Sequence, residues 1–310
     1  MSPGTEFPRR VALVGYGEAG RIFAAALAKD GACDVSACDI LASVPAWATP
    51  AHARATADGV RLAPALAEAL QGAGLVISAV TAEATATAAS QIAHAVAPGA
   101  WVLDVNSASP RTKLECARIV NAAGARYVEA AVMSAVPPFG LRVPMLLGGP
   151  HAEAVLPALE RLGFEATVGA TDYGTVSAIK LCRSIFVKGL EALTVEGLRT
   201  ARHYGVEDAV LASLARTFPG LDWDRQVEGF WQRVLQHGQR RAEEMREAAV
   251  AVADAGITPR MASSTAEVQA QVAALRAQGA FDGLPGDAGW RAWADRCEAA
   301  EPQTRRATGS

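Results

Sequence analysis

The run Val11-Ala12-Leu13-Val14-Gly15-Tyr16-Gly17-Glu18-Ala19-Gly20 carries three glycines at a spacing that lets backbone wrap a pyrophosphate. The apolar residues before it read as a buried strand, and an Ala-rich helix from about Ala19 to Lys29 follows. That strand–turn–helix context gives the spacing its meaning. Gly15 permits the tight turn, Gly17 lets backbone approach a phosphate, and Gly20 allows close packing of helix on strand. The helix N-terminus then turns its N–H groups and positive dipole end toward the phosphates. Tyr16, Glu18 and Ala19 complete the turn, and Glu18 also complements the helix dipole. Asp39 stands just after a second strand-like run, Asp34–Cys38. A carboxylate there accepts ribose hydroxyls and repels a 2′-phosphate. The residues after it are Ile40, Leu41, Ala42 and Ser43, with no Arg or Lys, which points to NAD over NADP. The plainer alternative for Asp39 is a turn cap.

These residues need elements to position them. Leu75–Val80, Trp101–Val105, Arg126–Val132 and Val143–Leu147 are further strand-like runs. Helical stretches are expected at Ala63–Gln71, Ala82–Val96, Pro110–Ala123 and His151–Leu162. Such alternation predicts a parallel, doubly wound α/β sheet. From Gly174 to Tyr204 the pattern predicts one long helix, followed by helices at Val206–Arg216, Asp222–His237 running on toward Ala255, and Ser264–Gln278. The second half is therefore expected to be all-α. Domains are expected at 8–169 and 170–301, which suits 310 residues at about 150 per domain.

Composition excludes several classes. Hydrophobic residues make up 51% of the chain, enough for a large core. The net charge of -3 lacks the positive excess of a nucleic-acid binder. No apolar run approaches the ~18 residues of a membrane span, and the polar start suggests a cytoplasmic protein. The five cysteines, Cys33, Cys38, Cys116, Cys182 and Cys297, are scattered and form no CxxC pair. They read as buried free thiols, with no metal site indicated. Trp223, Phe230 and Trp231 read as core or dimer interface.

Extended, the fingerprint is Gly15-x-Gly17-x-x-Gly20-x-x-x-Ala24-x-x-Leu27-x-x-x-Gly31, which resembles the β-hydroxyacid dehydrogenase family. That family includes 3-hydroxyisobutyrate dehydrogenases and the NAD-binding part of 6-phosphogluconate dehydrogenases. The resemblance runs from about Arg10 to Met261 and is closest to a branch with a GxGEAG fingerprint and its own C-terminal domain. It implies a Rossmann domain, a long interdomain helix and a helical domain that often forms dimers. It also implies oxidation of short hydroxy acids with a lysine as general acid/base. Asp104-Val105-Asn106-Ser107-Ala108-Ser109-Pro110 is similar to the loop whose polar groups fix the nicotinamide, and Glu129-Ala130-Ala131-Val132-Met133-Ser134-Ala135 to the substrate loop. Lys180 aligns with the catalytic lysine. By the same resemblance Ser78, Ala79, Val80 and Asn106 lie on the cofactor side, and Ser107, Met133 and Ser134 on the substrate side. Departures stand at Glu129, at Met133 where the family has Ser, at Val176, and at Ser184 where it has Asn. The hydroxyisobutyrate substrate is thereby in question. Val187 stands where 6-phosphogluconate dehydrogenase has an acid, which argues against that oxidative decarboxylation.

A helix advances about 100° per residue, so Ser184, Val187, Glu191 and Thr194 fall within about 40° of Lys180, with Arg183 about 60° away. On this reading Lys180 exchanges the alcohol proton while hydride passes to nicotinamide. Burial, Arg183 and the nicotinamide charge would lower its pKa. Ser184 would hydrogen-bond the substrate hydroxyl or Lys180, and Arg183 would hold a carboxylate. The apolar neighbours Ile179, Leu181 and Cys182 suggest a buried helix. In the charged segment 237–245, His237 or Arg241 is a candidate for an anionic substrate group, with a solvated face as the alternative. The expectation is an NAD-dependent dehydrogenase of a small hydroxy acid, forming a homodimer. Imine reduction and a non-catalytic NAD(H)-binding module are the alternatives.

Overall fold

The computed structural model describes residues 8–31 and 33–300. The chain divides into two compact units, through Leu181 and from Cys182, a division that falls inside a helix. Among the described residues no helix is long and apolar enough to cross a membrane.

The first unit is built on one sheet. Its strands are β1 (Arg10–Val14), β2 (Asp34–Cys38), β3 (Arg61–Leu62), β4 (Leu75–Ser78), β5 (Trp101–Asp104), β6 (Arg126–Val132), β7 (Met145–Gly148) and β8 (Ala166–Val168). Their spatial order is β3-β2-β1-β4-β5-β6-β7-β8. Between them run α1 (Glu18–Ala28), α2 (Pro45–Ala57), α3 (Leu66–Leu70), α4 (Thr85–Ala95), α5 (Pro110–Ala122) and α6 (Ala152–Arg161). Order reverses between β1 and β4, and a ligand crevice opens beyond the strand ends at such a switch point. The strands are near-continuous apolar runs because both faces are covered. Val11, Leu13 and Ile77 pack on one side with Phe23 and Leu27. Ala12, Val76 and Val102 pack on the other with Ile92 and Val120. Each fully buried side chain of this size contributes ~1.5–3 kcal/mol.

The sheet is mostly rather than wholly parallel. β7 runs antiparallel to β6, with Glu129 opposite Gly148. Only residues 133–144 join the two strands, and they hold a 3-10 turn at Gly140–Arg142 instead of a crossover helix. A parallel return needs a crossover, usually helical. Helix α2 and the short strands β3 and β8 carry little apolar periodicity and were not anticipated; Pro50 interrupts the α2 pattern.

The second unit is helical. The 29-residue α7 (Thr175–His203) begins in the first unit and continues into this one. It is followed by α8 (Glu207–Thr217), α9 (Trp223–Asp254), α10 (Arg260–Ala277) and α11 (Trp290–Ala300). Asp222 caps α9 by accepting from the Arg225 N–H. α9 and α10 form a hairpin that packs closely, because a Cβ on Gly238 would stand 2.7 Å from the Gln269 carbonyl oxygen. Trp223, Phe230 and Trp231 are buried in this unit. Val195, Val227, Val234 and Val272 join the two tryptophans in its core.

Candidate active site

The glycine turn is built as its spacing requires. Gly15 has φ 96°, and a Cβ there would collide with the Ala79 carbonyl oxygen. A Cβ on Gly20 would strike the Gly15 carbonyl oxygen, so helix and turn could not approach. At Gly17 an added Cβ meets nothing within 4 Å. Gly17 is the N-cap of α1 and offers no side chain to its first-turn N–H groups. Phe23, Ala24 and Leu27 bury the other face of α1, at the i, i+3, i+4, i+7 pattern of an amphipathic helix begun at Gly20. This arrangement fits a dinucleotide: a bare backbone loop at a helix start, at the switch point of a parallel sheet.

Asp39 is fixed beside the turn. One carboxylate oxygen accepts from the Tyr16 N–H at 2.6 Å and the other from the Leu41 N–H at 2.8 Å. It therefore does cap the turn, and each oxygen keeps lone-pair capacity for a further donor. The Gly15 N–H donates to the Cys38 carbonyl at 2.8 Å and ties the turn to β2. Tyr16 turns its ring inward and donates its hydroxyl to Asp58 at 2.7 Å. Arg21 grips the same carboxylate through Nε and Nη2. The Arg21 hydrogen bond holds the Asp58 carboxyl below the usual range. Burial, then the Asp58 hydrogen bond, pushes the Tyr16 phenol up. Glu18 is exposed and Ala19 half-buried.

A second construction stands at the ends of β4 and β5. Asn106 accepts from the Val80 N–H at 2.7 Å and donates to the Ser78 hydroxyl at 3.0 Å. It thereby clamps the Ser78-Ala79-Val80 segment. Beneath it Asp104 accepts from the Asn106 N–H, from Tyr127 at 2.6 Å, and from Lys113 at 2.8 Å. Lys113 is fully buried, and its Nζ also donates to the Asp104 carbonyl. Burial above all, with Asp104 next, pushes the Tyr127 phenol well up. Sequence reasoning placed Asp104 and Asn106 in this loop but missed Lys113 and Tyr127, which carry no local motif. Ser107 is half-buried.

Glu129 was missed in its actual role. It lies within β6, wholly buried, and accepts from the Gly174 N–H at 2.5 Å and the Ser177 N–H at 2.7 Å. A strand carboxylate thus caps α7 and complements its dipole. Small residues let α7 dock there: a Cβ on Gly148 or Gly169 would lie 2.9 Å from Val176. Of the expected substrate loop, residues 129–132 are strand, and only Met133 (half-buried), Ser134 and Ala135 (both exposed) follow it.

Lys180 lies in the second turn of α7, half-buried, within the first unit. Its expected neighbours divide. Ser184, Glu191 and Thr194 are buried as the helical face requires, while Val187 is exposed. Leu181 is buried, but Ile179, Cys182 and Arg183 are exposed, so the buried helix expected from their apolar character is corrected. Cys182 is a surface thiol; Cys33, Cys116 and Cys297 are buried and Cys38 half-buried. Burial pushes the Cys116 thiol up to about 12. Arg241 is neither solvated nor directed outward: its Nε and Nη2 both donate to Glu191. Arg233 takes the other Glu191 oxygen at 2.8 Å. His237 is half-buried.

The profile of the NAD binding domain of 6-phosphogluconate dehydrogenase matches residues 10–169. The chain belongs to that family. A domain of unknown function, DUF1932, matches residues 201–272. Among solved structures, a conserved hypothetical protein from Sinorhizobium meliloti 1021 is 32% identical, covering 95% of this chain and 97% of that one, with a TM-score of 0.74. The conserved protein MTH1747, described as structurally similar to 3-hydroxyacid dehydrogenases, is 29% identical over 87% of this chain and 99% of its own, with a TM-score of 0.65. The fold is shared with the 3-hydroxyisobutyrate dehydrogenase of Mycobacterium tuberculosis at 19% identity, covering 93% and 98% of the two chains, with a TM-score of 0.66. The chain thus carries an NAD(P)-binding Rossmann domain followed by a helical C-terminal region, and shares its fold with hydroxyacid dehydrogenases.

Proposed function

We propose that this protein is an NAD-dependent dehydrogenase of a small 3-hydroxy or polyhydroxy carboxylate, with Lys180 as general acid/base. The observation that carries the reading is the buried Glu129 cap, which fixes the start of α7 to the sheet that bears the glycine turn. Lys180 stands one turn beyond that cap, in the same compact unit. The backbone of Gly15–Gly20 and the first-turn N–H groups of α1 would hold the pyrophosphate, with Tyr16, Glu18 and Ala19 shaping the turn. Asp39 would accept ribose hydroxyls, and the Ser78–Val80 segment clamped by Asn106 would line the cofactor. Bound NAD supplies the hydride acceptor. Lys180, as the amine, takes the alcohol proton on Nζ while the C–H bond breaks, and the hydroxyl becomes a carbonyl. Ser184 donates to the reacting oxygen, Arg183 holds the carboxylate, and Ser107, Met133 and Ser134 frame the remainder. Arg241 is assigned to Glu191 rather than to substrate.

NAD is preferred over NADP on charge. A 2′-phosphate beside Asp39 would meet a carboxylate, and the residues that follow are the exposed apolar Ile40 and Leu41. A homodimer belongs to the same reading, supported by the exposed Phe186, Leu190 and Leu193 on α7.

A hydroxy-acid panel followed at the NADH absorbance, with NAD and NADP in parallel, tests the reading. Lys180→Ala is expected to lower kcat/KM by about 10³-fold or more while NAD affinity stays within about twofold. Full activity in that variant removes the mechanism. Higher efficiency with NADP removes the role of Asp39.

A further inference from the structure

Lys188 lies two turns after Lys180 on α7 and is 6% exposed. Its Nζ donates to the Ser184 hydroxyl oxygen at 3.1 Å and stands 2.7 Å from a Glu244 carboxylate oxygen on α9. Ser184 is itself only 5% exposed. Glu244 is partly exposed, with Arg240 at 3.9 Å on its other oxygen. Ser184, Lys188, Arg240 and Glu244 all belong to the helical unit. An ammonium has three donors and no acceptor, so the direction of the Lys188–Ser184 bond is fixed. Ser184 must accept, and its own proton must point elsewhere. A cation on the accepting side also polarises that O–H and strengthens it as a donor.

We propose that Lys188 is a positioning residue that turns Ser184 into a one-way, polarised hydrogen-bond donor to an oxygen of the substrate. The inference rests on the dehydrogenase reading for what that substrate is, and on the geometry of the helical unit for the rest. It sharpens the substrate class: the oxygen facing Ser184 must be able to accept and to carry developing negative charge. A hydroxy acid losing its proton, or its carboxylate, satisfies both conditions. Glu244 keeps Lys188 in place, since a buried ammonium needs a paired anion.

The test is a cycle of Ser184→Ala, Lys188→Met and the double variant, with Lys188→Arg as the conservative change. Lys188→Met/Glu244→Gln removes both charges together, in case Lys188→Met alone fails to fold. With the best substrate of the panel, Ser184→Ala and Lys188→Met are each expected to lower kcat/KM by about 10- to 100-fold, the size of a hydrogen bond to a charged group. The double variant is expected to match Ser184→Ala within about threefold, because Lys188 acts only through that hydroxyl. Lys188→Arg should recover part of the loss, and NAD affinity should not change in any variant. Multiplying effects in the double variant, or parental kcat/KM in Lys188→Met or in Lys188→Met/Glu244→Gln, overturn the proposal. If the parent protein turns over no hydroxy acid, the dehydrogenase reading has failed, and calorimetric binding of tartronate to the NADH-loaded protein decides this one separately. Binding that weakens equally in Ser184→Ala and Lys188→Met supports it; no binding, or binding indifferent to Lys188, overturns it.

Discussion

The sheet unit gathers its buried charge around β5 and β6, whereas α7 carries it along one face of a helix. Asp104, Lys113 and Tyr127 form a compact knot under Asn106, and on the neighbouring strand Glu129 caps α7. In the helical unit α7 turns Ser184, Lys188 and Glu191 inward while Phe186, Leu190 and Leu193 face outward. The usual distribution is apolar inside and polar outside, and here the middle stretch of α7, residues 184–193, largely inverts it. The difference teaches what each unit must do. The knot under Asn106 fixes the Ser78–Val80 backbone that is proposed to line the cofactor, a task local to a few neighbouring strands. The ladder on α7 takes its partners from α9 and α10, and its exposed apolar face is the one proposed to meet a second copy.

The hardest blow to the comparison is at Glu191. Glu191→Leu leaves Arg241, with a side chain only 12% exposed, without its carboxylate. Removing one partner of a buried ion pair costs about 3–5 kcal/mol. A loss of that size should appear in urea unfolding; a loss below about 1 kcal/mol would mean the inward ladder is not structural. In the sheet unit, Glu129→Gln keeps the shape but removes a charge from the α7 cap and forces one amide group into an acceptor-only site. The expected cost is about 1.5–3 kcal/mol, with Lys180-dependent turnover falling further than the stability loss explains. Unchanged stability and turnover would detach the cap from the site. The smallest effect on folding is expected at the outer face. Phe186→Asp should change the unfolding free energy by less than about 0.5 kcal/mol per chain when measured on monomer, yet convert the proposed homodimer to monomer in light scattering. It should also speed alkylation of the exposed Cys182 relative to the parent. A Phe186→Asp protein with parental mass would assign the apolar face to something other than a second copy.

Legibility in the sequence followed the range of the interactions. The glycine turn, β1, β2 and the helix that follows were readable because each glycine acts on backbone within a few residues. α7 was readable as a helix because few breakers interrupt it, and the face shared by Lys180, Ser184, Glu191 and Thr194 followed from helical geometry alone. α11 was missed because it is short and follows a Gly/Pro-rich stretch. The exposure of Ile179 and Cys182 was misread because an apolar residue signals burial only on average. Arg241 looked like a surface or substrate group because its partner, Glu191, is 50 residues away.

By itself the sequence determined a strand–turn–helix with a bare glycine turn suited to phosphates, an alternation that makes a doubly wound sheet, and a long helix carrying a lysine. These follow from local conformational preference and short periodicity. Only the tertiary structure decided that β7 runs antiparallel, that Glu129 caps α7 across 45 residues, and that Asp104 gathers Lys113 and Tyr127. It alone decided, too, that Lys188 lies against Ser184 and Glu244. Buried carboxylates and ammonium groups find partners wherever the packed chain brings them. That choice depends on three-dimensional proximity, which no local spacing encodes.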